Sequence, residues 1–207
     1  MRYLYLHGFA SSPASGKATY FKERFAARGI DLAVPALDSG NFERLTISSQ
    51  LRIMERELGG APAVLIGSSM GGYLAAVYAE RHPEVYRVVL MAPAFGLARR
   101  WPDALGDDVI RQWREQGWRM TYHYAHNREE RIGYQLLEDG LQYEDQPDVR
   151  QPALIFHGLH DDVVPPSFSE EFAATRPNVR LRLLDSDHAL SDQLPLMWRE
   201  SEEFLFC

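Results

Sequence analysis

The sequence predicts an α/β fold: a mainly parallel sheet of about six strands, with helices on both faces and a helical insertion after the fourth strand. Short apolar runs alternate with longer amphipathic stretches along most of the chain, which is the pattern of repeated strand–helix units. One apolar run leads directly into a glycine-rich turn and an alanine-rich helix. In sheets of this kind, ligands bind at the carboxyl ends of the strands.

The first half of the chain is expected to supply four strands and three helices. Ser15 is a candidate N-cap for the first helix, and Gly29 is placed to end it. The predicted strands are Arg2–Leu6, Asp31–Val34, Ala63–Ile66 and Tyr86–Met91. The predicted helices are Ser15–Arg28, Thr46–Leu58 and Gly72–Arg81.

The second half resumes the alternation after an interruption. Strands are predicted over Ala153–Phe156 and Val179–Leu184, and helices over Ser167–Arg176 and Leu194–Leu205. Between them, residues 94–151 are rich in aromatic residues, Arg and Glu and lack runs of β-branched residues. We therefore expect a single domain over residues 1–207, with residues 94–151 forming a helical cap inserted within it.

Charge and composition exclude several classes of partner. Lys and Arg number 22 against 29 Asp and Glu, so the net charge of −7 disfavours nucleic acids. No apolar run approaches the ~18 residues of a membrane span, and the N-terminus lacks a signal-peptide pattern. Cys207 is the one cysteine, so no intramolecular disulfide can form. These features predict a cytoplasmic protein.

The glycine-rich turn has the spacing of a nucleophile elbow. Gly67-Ser68-Ser69-Met70-Gly71 matches the pattern G-x-S-x-G, with Ser69 at its centre. A serine in so sharp a strand-to-helix turn has strained backbone angles, and only small residues fit two positions before and after it. Ser68 does not meet this condition, because Ile66 and Met70 would flank it. Ser69 is therefore the predicted nucleophile.

A serine nucleophile needs a base and an orienting carboxylate, expected in the chain order Ser, Asp, His. Asp161 follows the fifth predicted strand, and its neighbour Asp162 is the alternative acid. His188 follows the sixth predicted strand, beside Asp187. We predict Asp161 and His188 as the partners of Ser69, because side chains adjacent in sequence, such as those of Asp187 and His188, seldom face each other.

Two backbone N–H groups are expected to hold the negative charge that acyl transfer builds on the substrate oxygen. Met70, directly after the nucleophile, is one predicted donor. Phe9, in the glycine-containing loop after the first strand, is the other, with Ala10 as the alternative. His7 in the same loop is expected to bond the loop backbone rather than to act as the base.

Aromatic residues suggest how the acyl group could be bound. Phe9, Phe95 and Trp101 are the candidate substrate-binding residues, and the alternative is that the aromatic residues form the core of the insertion. Arg99 and Arg100 could receive an anionic leaving group such as a CoA phosphate, or they could form a solvated charged face.

These elements together resemble the α/β-hydrolase superfamily. The resemblance rests on four segments: His7-Gly8-Phe9, Gly67–Gly72, His157–Pro165 and Ser186-Asp187-His188. The opening LHGFASSPASGKA is similar to the YqiA-type esterases, whereas HGLHDDVVP with the later SDH is similar to acyl-protein thioesterases of the mycophenolic-acid acyl-glucuronide esterase type. Unlike larger members of the superfamily, the chain begins almost at its first sheet strand.

The predicted function is hydrolysis of carboxylic ester or thioester bonds of small acyl substrates, through a Ser-His-Asp triad and an acyl-enzyme intermediate. The expected partner is thus a small acyl ester or thioester, and the chemistry requires no metal or cofactor. Two alternatives remain open at this point. The fold could serve as a non-catalytic binding module, or the same triad could cleave peptides.

Overall fold

Seven segments of the sequence form strands in the computed structural model, which describes residues 1–207. They are β1 (Arg2–Leu6), β2 (Ala63–Ser68), β3 (Val85–Met91), β4 (Trp118–His123), β5 (Arg128–Gly133), β6 (Ala153–Gly158) and β7 (Val179–Leu184). The main sheet has the order β1-β2-β3-β6-β7 and all its strands are parallel, while β4 and β5 form a separate antiparallel hairpin. The predicted fold class is confirmed.

Eight helices accompany these strands. They are α1 (Gly16–Ala27), α2 (Ile47–Leu58), α3 (Met70–Arg81), α4 (Leu97–Leu105), α5 (Asp107–Gln116), α6 (Gln135–Gly140), α7 (Ser167–Ala174) and α8 (Leu194–Phe206). Ser15 caps α1 as expected, its side chain accepting a hydrogen bond from the N–H of Ala18. Every one of these helices is too short or too polar to cross a bilayer.

The central strands are buried on both faces, which divides the core into two layers. Along β1, Tyr5 packs with the α1 residues Phe21 and Phe25, and α8 covers the same face. Leu4 and Leu6 point to the opposite face, which α2, α3 and α7 cover. This alternation follows from the two-residue repeat of a strand. Because helices cover both faces of the sheet, the ends of its strands are the part left open for a ligand.

The segment predicted as a second strand, Asp31–Val34, pairs at one position only. Ala33 forms an isolated bridge to Leu4, so the sheet has five strands rather than about six. Pro35 limits the pairing because it lacks an N–H and closes the segment. After β1 the chain turns towards the edge of the sheet where Ala33 lies, and after β2 it turns towards the opposite edge. This reversal of direction opens a crevice at the carboxyl ends of β1 and β2.

The insertion between β3 and β6 is less helical than the sequence predicted. Within residues 94–151, the β4–β5 hairpin lies between α5 and α6, and the prediction of helices and loops missed it. β5 is rich in charged residues and both strands are partly exposed, so they lack the apolar run that marks a buried strand. The indole of Trp113 anchors the hairpin by donating to the carbonyl of Ile132 at 3.0 Å.

Candidate active site

The turn between β2 and α3 places Ser69 at the carboxyl end of the sheet. Its backbone angles, φ 54° and ψ −119°, belong to a region that residues other than glycine rarely adopt. The conformation is held by hydrogen bonds from the Ser69 N–H to the Met91 carbonyl, at 2.8 Å, and from the Ala94 N–H to the Ser69 carbonyl, at 3.0 Å. Such a turn presents the side chain above the sheet.

The glycines around Ser69 are required by the closeness of the backbone. A Cβ on Gly67 would overlap the carbonyl of Gly71, and a Cβ on Gly71 would overlap the carbonyl of Leu6. Both positions therefore tolerate only glycine, which is the steric condition that the sequence pattern predicted.

His188 comes from the loop after β7 and lies between Ser69 and Asp161. Its Nε2 is 3.0 Å from Ser69 Oγ, and its Nδ1 is 2.7 Å from Asp161 Oδ2. The His188 side chain is 22% exposed and that of Asp161 is fully buried. The structure thus brings the three predicted side chains together in one hydrogen-bonded row.

The loop that carries His188 is held by contacts on both sides. Asp187 accepts hydrogen bonds from the N–H groups of Ala189 and Leu190, at 2.9 and 3.2 Å, so its carboxylate serves the backbone. Lys17 Nζ, from α1, donates to the carbonyl of Ala189 at 2.6 Å. Burial lowers the pKa of Lys17 to about 8, although the negative charges of Asp187 and Asp161 act to raise it.

Asp161, not Asp162, is the carboxylate that faces His188. Its Oδ1 accepts the N–H groups of Val163 and Val164 at 2.9 and 2.7 Å, while Asp162 is exposed. Burial alone would raise the pKa of Asp161, but hydrogen bonds from His157, His188 and the Val164 amide hold it well below its usual range. The carboxylate is therefore charged and fixed in orientation.

His157 is a site residue that sequence reasoning missed. It is fully buried at the end of β6, and its Nε2 lies 3.1 Å from Asp161 Oδ2 and 2.8 Å from the carbonyl of Val164. Both neighbours are acceptors, so Nε2 carries the proton and Nδ1 accepts from the hydroxyl of Ser169 at 2.7 Å. A histidine four residues before the predicted acid was the only available indication.

Replacing His157 by leucine is expected to lower the free energy of unfolding by about 2–3 kcal/mol, because the buried carboxylate of Asp161 loses a donor. Ser169→Ala is the matched control, since it removes only a hydroxyl from the far side of the same imidazole, and about 1 kcal/mol is expected. Urea denaturation of both variants measures the difference. Equal stability of His157→Leu and the wild type would contradict this account.

The loop after β1 lies directly against Ser69. A Cβ on Gly8 would sit 3.5 Å from Ser69 Cβ, so the backbone passes close to the nucleophile. The N–H of the next residue, Phe9, donates no hydrogen bond within the chain. Met70 begins α3, so its N–H has no acceptor within that helix. Neither predicted donor thus has a backbone acceptor within the chain, and their role in holding an oxyanion stays a prediction.

The imidazole of His7 forms a hydrogen bond with the backbone of its own loop, as predicted. Its Nδ1 donates to the carbonyl of Gly8 at 3.0 Å, and its Nε2 accepts from the N–H of Leu37 at 3.4 Å. Burial lowers the pKa of His7, which favours this neutral form. With both ring nitrogens bonded in this way, His7 supports the loop.

The three aromatic residues predicted to bind substrate occupy different positions. Phe9 and Trp101 are partly buried, with ring centroids 6.3 Å apart, and Phe9 also packs against Phe42 at 5.3 Å. Phe95 differs from the prediction, because it has no exposed surface and stacks on Phe172 at 4.2 Å. It packs into the core next to the sheet, whereas Phe9 and Trp101 retain surface near the site.

Neither arginine of the predicted anion-binding pair is free of the protein. Arg99 forms an ion pair with Asp145 at 2.8 Å. Arg100 donates to the carbonyls of Phe95 and Val163, at 3.1 and 2.8 Å, and so links α4 to the loop of Asp161. These contacts favour the reading of a structural, partly solvated pair over a receptor for a leaving group.

Comparison with known proteins gives one family and several structural relatives. The sequence model of the Uncharacterised protein family (UPF0227) matches residues 2–202. Palmitoyl-protein thioesterase ABHD10, mitochondrial, from Bos taurus is 27% identical over 210 residues, covering 92% of this chain and 67% of the relative.

Two solved structures show the extent of the structural likeness. Alpha/beta hydrolase domain-containing protein 10 from mouse superposes with a TM-score of 0.81 at 21% identity, covering 98% of this chain and 88% of that one. Est1E from Butyrivibrio proteoclasticus gives a TM-score of 0.79 at 16% identity, covering 98% and 85%. At these identities the likeness establishes the α/β-hydrolase fold.

Proposed function

The chain belongs to the Uncharacterised protein family (UPF0227), and from this premise and the geometry around Ser69 we propose that it is a serine hydrolase cleaving ester or thioester bonds of small acyl substrates. The observation that carries the proposal is the hydrogen-bonded row from Ser69 through His188 to Asp161, with distances of 3.0 and 2.7 Å. A base in contact with a strained serine is the arrangement that makes a hydroxyl nucleophilic.

The proposed reaction proceeds in two steps. His188 Nε2 takes the proton of Ser69 as Oγ attacks the carbonyl carbon, and the N–H groups of Met70 and Phe9 hold the resulting oxyanion. When the intermediate collapses, His188 protonates the leaving alcohol or thiol, and the acyl group stays on Ser69. His188 then deprotonates a water molecule, which attacks the acyl-enzyme and releases the acid.

Asp161 keeps the imidazole in place during both steps. Its charged Oδ2 accepts the Nδ1–H of His188, which leaves Nε2 facing Ser69 and stabilises the imidazolium that forms. Asp161 itself is held by two backbone N–H groups and by His157, so it cannot turn away. This support favours catalysis over a purely binding role, which would not require an oriented base.

The relatives indicate the class of bond. One is described as a palmitoyl-protein thioesterase, and Est1E has been solved with ferulic acid bound. By that analogy we infer acyl esters or thioesters as substrates of this chain. We propose small acyl groups, with the acyl pocket bounded by Phe9 and Trp101, which pack with ring centroids 6.3 Å apart.

A panel of p-nitrophenyl esters and acyl thioesters of increasing acyl length tests this specificity. We expect kcat/KM to be highest for short chains, and Trp101→Ala to raise the ratio of octanoate to acetate turnover about tenfold, because removing the indole lengthens the pocket. Trp118→Ala is the matched control, since that indole stacks under Arg131 on the hairpin. The proposal of a short pocket fails if the wild type prefers palmitoyl esters. Cleavage of an aminoacyl-naphthylamide without ester turnover would instead indicate a peptidase.

A further inference from the structure

A second group of potential ligands lies on the β4–β5 hairpin, apart from the triad. One donor atom from each of His123, His126 and Glu130 lies within 4.8 Å of the other two. We propose that these three side chains form a binding site for a divalent transition-metal ion, in the first place Zn²⁺. Two imidazoles and a carboxylate are a donor set that suits this class of ion, and they leave a coordination position for water.

The register of the hairpin brings these residues together. His123 pairs with Arg128 across the strands, and Glu130 follows two residues after Arg128, so His123 and Glu130 share one face. The turn between the strands folds His126 back over this face, with its ring centroid 3.9 Å from that of His123. His126 Nδ1 is 2.9 Å from Glu130 Oε1. Three ligands thus converge from two strands and their turn.

His123 is fixed in place, whereas His126 can adjust. His123 is 2% exposed and packs edge-on against Phe42, with 4.6 Å between ring centroids. The rings of His123 and His126 are nearly parallel, at 9°, so both cannot direct their in-plane lone pairs at one ion as they stand. The side chain of His126 is 46% exposed and can rotate to do so.

Three hydrogen bonds must yield when the ion binds, and one of them is the 2.9 Å bond between His126 Nδ1 and Glu130 Oε1. Arg128, whose side chain is 70% exposed, donates to Glu130 Oε1 at 2.6 Å and can swing into solvent. The backbone N–H of His126 donates to His123 Nδ1 at 3.3 Å, and this hydrogen bond is weak because it is long. Metal binding therefore displaces one exposed cation and one long hydrogen bond, and it replaces the hydrogen bond between His126 and Glu130.

Outside the group around Asp161, the other histidine–carboxylate pairs in the chain lack a second imidazole. His82 lies 2.9 Å from Glu84, and His160 lies 2.7 Å from Asp185. Each pair has one ring and one carboxylate, whereas the hairpin adds a buried imidazole. This difference makes His82 a matched control for the hairpin site.

The position of the site links it to the loop that contains Phe9. Tyr124, between the two histidines, donates its N–H to the carbonyl of Ala10 at 2.9 Å. Phe42 packs against both His123 and Phe9. An ion that ties the turn to the strands would therefore hold the adjacent part of this loop in place. The proposed hydrolysis does not use the ion.

Isothermal titration of the EDTA-treated protein with ZnCl₂ tests the site without reference to ester turnover. We expect one Zn²⁺ per chain, at least tenfold weaker binding in His126→Gln and in Glu130→Gln, and no change in His82→Gln or Cys207→Ser. At about a hundredfold excess over Kd, Zn²⁺ should raise the Tm of the wild type by roughly 5 °C. The proposal is overturned if the titration detects no Zn²⁺ binding to the wild type, or if the two hairpin variants bind it as the wild type does.

Discussion

Replacing Ser69 by alanine is expected to lower kcat/KM for p-nitrophenyl acetate by about 10⁴–10⁶-fold while leaving the fold unchanged. The hydroxyl is the atom that forms the acyl-enzyme, and no other nucleophile lies within hydrogen-bond reach of His188 Nε2. Steady-state kinetics measures the loss, and circular dichroism with thermal unfolding checks the fold. Because alanine keeps the Cβ and removes only Oγ, the strained turn stays in place.

Ser68 provides the matched control for this variant. It is the preceding residue, is buried at the end of β2 and is not part of the hydrogen-bonded row. A fluorescent fluorophosphonate should label the wild type and Ser68→Ala but not Ser69→Ala. Equal labelling of Ser69→Ala and the wild type would remove Ser69 from the proposed mechanism.

Asp161→Asn is expected to lower kcat by about 10⁴-fold, because an amide at this position favours the wrong tautomer of His188. Asp162→Asn, the same change one residue along on an exposed side chain, should leave kcat within about twofold. KM should change little in either variant, since neither carboxylate contacts the acyl group in the proposed mechanism. The two rates measured on p-nitrophenyl acetate decide between the two candidate acids, and a larger loss in Asp162→Asn would reverse the assignment.

The pH dependence of stability gives a separate test of Asp161. Its folded-state pKa lies below the ordinary value of 3.8, despite burial, because of the hydrogen bonds it accepts. The charged carboxylate therefore stabilises the folded protein above pH 3.8, and this contribution is lost as the pH falls through the lower folded-state pKa. The stability difference between wild type and Asp161→Asn should accordingly shrink in acid. A constant difference from pH 7 down to about pH 2 would contradict this linkage.

The elements that local chemistry controls were predictable from the sequence. Gly71 is required by the carbonyl of Leu6 on the neighbouring strand, but the need for Gly67 arises from the carbonyl of Gly71 only four residues along, so that part of the pattern shows in the chain itself. The same holds for Ser15, which caps the helix that follows it directly. The predicted acid and base also follow their strands in the expected order, and the structure brings them to Ser69.

The elements that depend on distant partners were not predictable in the same way. The hairpin strands are polar, and they form because they pair with each other and are anchored by Trp113. Phe95 is an aromatic residue of the kind that often lines a binding pocket, but its burial against Phe172 depends on where α7 packs. His157 supports Asp161 only because the loop after β6 folds back onto the end of its own strand.

The sequence by itself determined the α/β architecture, the position of Ser69 in its turn and the pair of loops that supply its partners, because strand periodicity and the steric need at Gly67 act over short stretches of chain. Only the tertiary structure decided that Asp161 rather than Asp162 meets His188, that His157 donates to that carboxylate, and that His123, His126 and Glu130 converge. Those outcomes depend on the direction in which each side chain leaves a folded backbone, which spacing along the chain does not specify.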